Sequence, residues 1–182
     1  MMIISFEKKY LNEVKDFTDQ WIGENYYSME ELEKVISFSK QDGLNASLLA
    51  FVDNELAAVR LTYAPGVWVD SQRGVTPLKW DLPKERVSYF KSLFVAEKFQ
   101  QKGLGRELSK KSIEIIKQMG AQAVVCHSWL ESPGNSSQKY LLKMDFKPVH
   151  THERYWYEID YLCTRCNPNR CVCTAVEMIK YF

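Results

Sequence analysis

Three groups of residues in this chain have the type and spacing for chemistry. The first is the run Gln100-Gln101-Lys102-Gly103-Leu104-Gly105-Arg106, where two glycines one residue apart open an amphipathic stretch. Without side chains at Gly103 and Gly105, an anionic group such as a phosphate can approach the backbone closely, and the unpaired amides of the helix start point at it. The helix dipole adds to the attraction, and Lys102 and Arg106 supply nearby positive charge. The second group is Cys163-x-x-Cys166 and Cys171-x-Cys173, which flank Asn167-Pro168-Asn169-Arg170. If that stretch turns tightly between two strands, the four thiolates meet at one hairpin tip and suit a closed tetrahedral zinc site. Metal-free cysteines and an iron–sulfur cluster are the alternatives. The third group is proton-carrying: His127 and Glu131 on and after one strand-like run, and Tyr140 in a helix-like one. Each has a bland reading as a packed or surface residue beside the acid–base reading. Cys126 reads as a small core residue rather than a nucleophile.

Composition narrows what these groups can serve. The 182 residues carry 24 basic and 23 acidic side chains, so net charge gives no reason to expect a nucleic acid or a membrane surface as the main partner. The opening MMIISFEKKY is too short for a signal peptide core and far short of a spanning helix. Five cysteines without an export signal point to a reducing compartment, hence the cytoplasm. The length fits one domain, residues 1–182, with the cysteine-rich hairpin inserted at about 160–175.

The elements that must position these groups follow from periodicity. Met2 to Phe6 reads as a strand, and Leu11, Val14, Phe17 and Trp21 recur at helical spacing. Ser28-Met29-Glu30-Glu31 has the form of a capping box, with Leu32, Val35 and Ile36 along one side of the helix it opens. Ser47–Val52 and Leu56–Tyr63 form a hairpin about Asp53-Asn54. A long connection from Pro65 to Lys84 then leads to a strand over Arg86–Val95. Leu104, Leu108, Ser112, Ile115 and Met119 mark a helix closed by Gly120, and Ala123–Trp129 is the next strand. A short helix over Ser136–Met144 and two strands, around Val149–Tyr157 and Val172–Tyr181, complete an α/β mixture on one central sheet.

The Gly-x-Gly run lacks the third glycine of a dinucleotide fingerprint and the Lys-Ser or Lys-Thr end of a P-loop. With the strand Leu93-Phe94-Val95 before it, Gln100-x-x-Gly103-x-Gly105 instead resembles the signature of the GNAT superfamily of acyl-coenzyme A dependent N-acyltransferases. The specific motif covers residues 93–106, and element order extends the resemblance from about Met2 to the C-terminus. It implies a mostly antiparallel mixed sheet flanked by helices and splayed at an acetyl-CoA site. The amides from Gln101 to Arg106 then hold the pyrophosphate, with Gln100, Lys102 and Leu104 in the same loop. The backbone near Leu93 and Val95 pairs with the pantetheine arm, and the thioester lies between this strand and the one ending near Trp129.

The resemblance also implies direct acetyl transfer to a primary amine of a small molecule or peptide, in a ternary complex and without a covalent intermediate. A homodimer is compatible with it. In the family's later motif a tyrosine protonates the departing thiolate. Here GNSSQKYLLKMDF puts Leu141 at that position and Tyr140 one residue earlier, ~100° around a helix. The family's usual glutamate before the phosphate loop is replaced by Lys91 and Ser92, which leaves His127 as a candidate base. These departures keep a second function open, a non-catalytic acetyl-CoA sensor with a metal hairpin for a partner. The family does not explain the cysteine cluster.

Overall fold

The computed structural model describes all 182 residues. Alternating apolar positions bury strands against helices on both faces of a seven-stranded sheet, in the order β1-β4-β5-β6-β7-β9-β8. These strands are β1 (Met2–Ser5), β4 (Leu48–Val52), β5 (Glu55–Tyr63), β6 (Val87–Val95), β7 (Ala123–Trp129), β8 (Lys147–His152) and β9 (Ala175–Tyr181). A separate two-residue hairpin, β2 (Lys40–Gln41) with β3 (Leu44–Asn45), was not legible in the periodicity. Helices α1 (Leu11–Trp21) and α2 (Met29–Phe38) cover one face, where Leu11, Val14, Leu32 and Val35 meet Val59, Val87, Tyr89 and Val125. Helices α3 (Leu104–Gln118) and α4 (Ser136–Leu142) cover the other, where Ile116 and Leu141 meet Phe90, Val124, Cys126 and Met178.

Local signals act as their chemistry dictates. Ser28 and Glu31 close the capping box reciprocally, with Ser28 N donating to Glu31 Oε2 (2.8 Å) and Glu31 N to Ser28 Oγ (3.1 Å). Asp53 and Asn54 both take positive φ between β4 and β5, as the tightest hairpin turn requires. The last two strands differ from expectation. They pair antiparallel, but they are shorter than the predicted runs, so all four clustered cysteines sit in the connection over residues 153–174 and not on strands at a hairpin tip. Cys163, Cys171 and Cys173 are buried together beside Trp129 and Tyr161, and a pleated strand cannot deliver that inward turn. The first ladder donor before β9, Thr174 N, is instead taken by the Glu131 carboxylate (2.8 Å).

Only β6 and β7 run parallel, with α3 as the crossover. Their pairing extends from Val87 with Ala123 to Phe90 with Cys126 and stops there, although both strands continue. At that point β6 holds one residue more than its other neighbour: Thr62 pairs with Phe90 and Leu61 with Ser92, leaving Lys91 as the extra residue of a bulge. The bulge turns β6 away from β7 and opens a fork through the sheet.

The long connection before β6 is pinned over this fork. Trp68 and Trp80 are fully buried, and Trp68 stacks on Tyr89 with ring centroids 4.7 Å apart. Glu177, in mid β9 and without solvent exposure, accepts hydrogen bonds from Trp80 Nε1 (2.7 Å), Thr76 N (3.1 Å), Thr76 Oγ1 (2.8 Å) and His152 Nε2 (3.2 Å). Burial alone would raise its pKa, but the donors led by Trp80 and Thr76 outweigh it and hold the carboxyl below the usual glutamate value. A depressed carboxyl stabilises the fold above its unfolded value, and that stability disappears as pH falls through the folded one. Glu177→Gln should therefore cost ~2 kcal/mol or more at neutral pH, and the loss should shrink in acid. Chemical denaturation of both proteins from pH 7 down to pH 3 measures it.

Candidate functional site

The Gly103 loop leaves β6 at its forked end. Gly103 is the N-cap of α3 with φ +80°, a left-handed geometry with open space around its α-carbon. Gly105 is small for a different reason: a β-carbon there would stand 3.2 Å from Leu93 and 3.3 Å from Val95. None of the backbone N–H groups from Gln101 to Arg106 has an acceptor within the protein. Gln100, Gln101, Lys102 and Arg106 are exposed around them, Leu104 is buried as the anchor of the turn, and Gln100 Nε2 fastens the loop by donating to Val95 O (3.0 Å). The loop is thus a cradle of free donors ringed by positive charge.

Strand alternation divides the acid–base candidates. His127 shares the α1 and α2 face with Val125, and Tyr140 packs on the α3 and α4 face with Cys126. The structure does not bring the two side chains together; it sets one on each side of the fork.

On the first face, His127 Nε2 donates to Gly74 O, which leaves Nδ1 to accept from Tyr89 Oη at 2.7 Å. Tyr155 stacks on the imidazole with centroids 4.5 Å apart. Burial pushes the His127 value down to about 4, so the ring is neutral at physiological pH. A narrow recess opens here, lined by Tyr26, Gln72, Arg73, Lys91 and Trp156 as well as Tyr89, Tyr155 and His127. Its walls come from the α1–α2 loop, the long connection before β6 and the cysteine-rich connection. Tyr89 follows from alternation on β6. Arg73 and Tyr155 carry no such signal, because irregular segments deliver them. Glu131, another sequence candidate, is occupied by Thr174 N.

On the second face, Tyr140 Oη reaches Ser109 Oγ (2.8 Å) and Gly105 O (3.0 Å) in the first turns of α3. Ser109 Oγ also accepts from the buried Arg60 guanidinium (2.9 Å), which lies 4.1 Å over the Phe90 ring. The Tyr140 hydroxyl therefore borders the cradle, while Leu141, which occupies the aligned position, is buried in the core. Cys126 is also buried, and desolvation pushes its thiol far up, as befits a core residue.

The sulfur atoms of Cys163, Cys166, Cys171 and Cys173 all lie within 4.8 Å of one another, with Cys166 and Cys173 at 3.6 Å. A tetrahedral zinc with ~2.3 Å bonds needs sulfur separations of ~3.8 Å, so the set fits the ion. Burial works upward on Cys163, but the amides of Arg165 and Cys166 pointing at its sulfur win and favour the thiolate. The knot also adjoins the recess: Tyr155 N donates to Cys173 O (3.0 Å), and Tyr161 meets Tyr26 edge to face at 4.9 Å.

The model of the acetyltransferase (GNAT) family matches residues 12–146. A comparison with curated protein sequences finds no match. Among solved structures, Ard1 from Thermoplasma volcanium superposes with a TM-score of 0.70 at 12% identity, over 99% of this chain and 96% of that one. Arabidopsis thaliana Naa50, in complex with the bisubstrate analogue CoA-Ac-MVNAL, gives 0.67 at 14% identity over 100% and 98%. The ribosomal-protein-S18-alanine N-acetyltransferase from Escherichia coli gives 0.66 at 14% identity over 99% and 92%. At these identities the likeness is one of fold.

The environment of His127 has a direct spectroscopic consequence. Its ring should remain neutral, with the proton on Nε2, down through pH 5, and titrate near 4 rather than near 6.5. Because the folded value is depressed, its contribution to stability is present above the unfolded value and lost as pH falls toward the folded one. Nitrogen chemical shifts of labelled histidine from pH 8 down to pH 3 check both the tautomer and the midpoint.

Proposed function

We propose, from the premise that the chain belongs to the GNAT family of acetyltransferases, that it moves the acetyl group of acetyl-CoA to a primary amine of a small molecule or peptide by direct attack. The observation that carries this reading is the run of unpaired amides from Gln101 to Arg106 at the mouth of the β6–β7 fork. Those amides, with Lys102 and Arg106, receive the pyrophosphate. The edge of β6 around Leu93 and Val95, which β7 leaves unpaired, offers backbone groups to the pantetheine amides.

The two faces of the fork divide the proton traffic. The acceptor enters from the recess, where Tyr89 and His127 form a relay from the hydroxyl to Nδ1. His127 is a weak base at rest, but nitrogen becomes strongly acidic once it bonds to the acetyl carbon, so a weak base suffices at that stage. Tyr140 approaches from the opposite face and is the group placed to protonate the departing thiolate. Each hydroxyl stands ready without reorganisation, because its bonding partners are part of the scaffold.

The four cysteines hold one structural zinc in the same proposal. A closed four-thiolate set leaves no position for water, so the metal fastens the cysteine-rich connection and takes no part in acetyl transfer.

Gly103→Val should weaken acetyl-CoA binding by tenfold or more in calorimetry, because a β-branched residue cannot hold φ +80°. His127→Gln and Tyr140→Phe should each lower kcat by ~10²-fold while leaving acetyl-CoA affinity nearly unchanged. Undiminished turnover in both variants would remove the relay and the acid. Elemental analysis of protein purified under reducing conditions should give about one zinc per chain. Cys166→Ser should lose the metal along with thermal stability, and metal-free protein of equal stability would sink the site.

A further inference from the structure

Lys91 and Arg73 are the two cations of the acceptor recess, and neither has a counter-ion. The Lys91 ammonium donates no hydrogen bond and forms no ion pair; it lies loosely over the Tyr27 ring, 5.9 Å from its centroid. Arg73 lies 5.1 Å over the Tyr155 ring at the exposed end of the recess and pairs with no carboxylate. No acidic residue lines the recess. The nearby carboxylates are committed elsewhere, Glu31 to the amide of Ser28 and Glu177 to Trp80, Thr76 and His152.

This charge is costly to keep. Burial, opposed in part by Glu31 and reinforced by Arg73 and Lys34, drags the Lys91 ammonium down to about 8. Packing does not require an ammonium there, since β6 bears apolar or hydroxyl side chains on either side of the bulge. A half-buried ammonium with an exposed guanidinium on the same recess wall and no internal anion is a site that an incoming anion completes. The same pair repels a simple polycation and favours the neutral form of an amine held beside it, which is the form that attacks.

We propose that the acceptor is an amine carrying a carboxylate close to its nitrogen, the carboxylate held by Lys91 and Arg73 and the nitrogen turned toward Tyr89 and His127. The inference deepens the transferase reading and rests on it for the recess being the acceptor site. The carboxylate belongs either to a free amino acid or to the side chain of an aspartate or glutamate that begins a peptide. The aromatic lining from Tyr26, Tyr155 and Trp156 contributes apolar contact in both cases.

Thiol release from acetyl-CoA, followed with paired acceptors, separates the sources. The free amino acid arm compares phenylalanine with phenylalaninamide; the peptide arm compares peptides beginning with Asp or Glu with those beginning with Asn or Gln. In one arm the acidic member should lead by ~30-fold or more in kcat/KM, mainly through KM. Lys91→Met should reduce that lead to within about threefold while the acetyl-CoA Kd stays in place, and Lys91→Arg should restore most of it. Equal rates for acidic and neutral partners, or a lead that survives in Lys91→Met and Arg73→Gln together, overturns the proposal while leaving the transferase intact. Calorimetry with N-acetylphenylalanine and with an N-acetylated Asp peptide reads the anion site without turnover. Lys91-dependent binding of either acid in a protein that acetylates nothing would refute the transferase reading and uphold the anion site. Binding of neither acid, with no turnover, overturns both.

Discussion

Everything at this site depends on two parallel strands that stop pairing while both are still extended. An unpaired backbone edge inside a sheet is expensive, and proteins tolerate it where another molecule supplies the missing partners. Here the separation is built in covalently by one surplus residue, Lys91, in β6. The bulge does three things at once. It opens the fork, it lets Leu93 and Val95 face the first turn of α3, where a side chain at 105 would crowd them, and it places an ammonium on the wall of the recess. In the proposed transfer, the opening it leaves is where the reacting atoms meet.

The fork also explains why the acid–base groups stand apart. A cavity on one face would crowd base, acid, acceptor and cofactor into a single pocket. In the proposed transfer, a slot through the sheet lets the amine arrive from one side and the proton for sulfur from the other, so Tyr89 and His127 need share no space with Tyr140. Each group is then held by its own framework, Gly74 and Tyr155 on one side and Ser109 and Gly105 on the other. The buried Arg60, whose Nε has no partner, anchors the second framework through Ser109.

How much of this was legible in the sequence depended on how local the cause was. The capping box at Ser28, the turn at Asp53-Asn54, the Gly103 loop and the limits of β7 are short-range effects, and they were read to within a residue or two. His127 was recognisable as a candidate, but its partners were not, because Gly74 and Tyr155 reach it from connections with no periodicity. The bulge left no trace, since Tyr89-Phe90 before Lys91 and Leu93-Phe94-Val95 after it read as one continuous strand. The cysteines were grouped correctly, but on strands that end before reaching them. Burial of three thiols beside Trp129 and Tyr161 outweighed the pleat, a tertiary effect beyond the reach of spacing.

Glu177 ties together segments that are far apart in the chain. Thr76 and Trp80 belong to the connection that carries Gln72 and Arg73, and His152 ends the strand that leads directly into Tyr155 and Trp156. Two walls of the acceptor recess thus hang from one carboxylate. Neither can swing outward without stretching bonds that hold the other, so the mouth of the recess behaves as a single rigid frame rather than as two independent flaps. In the proposed transfer, acceptors then thread into a fixed aperture, so selection by size precedes any chemistry.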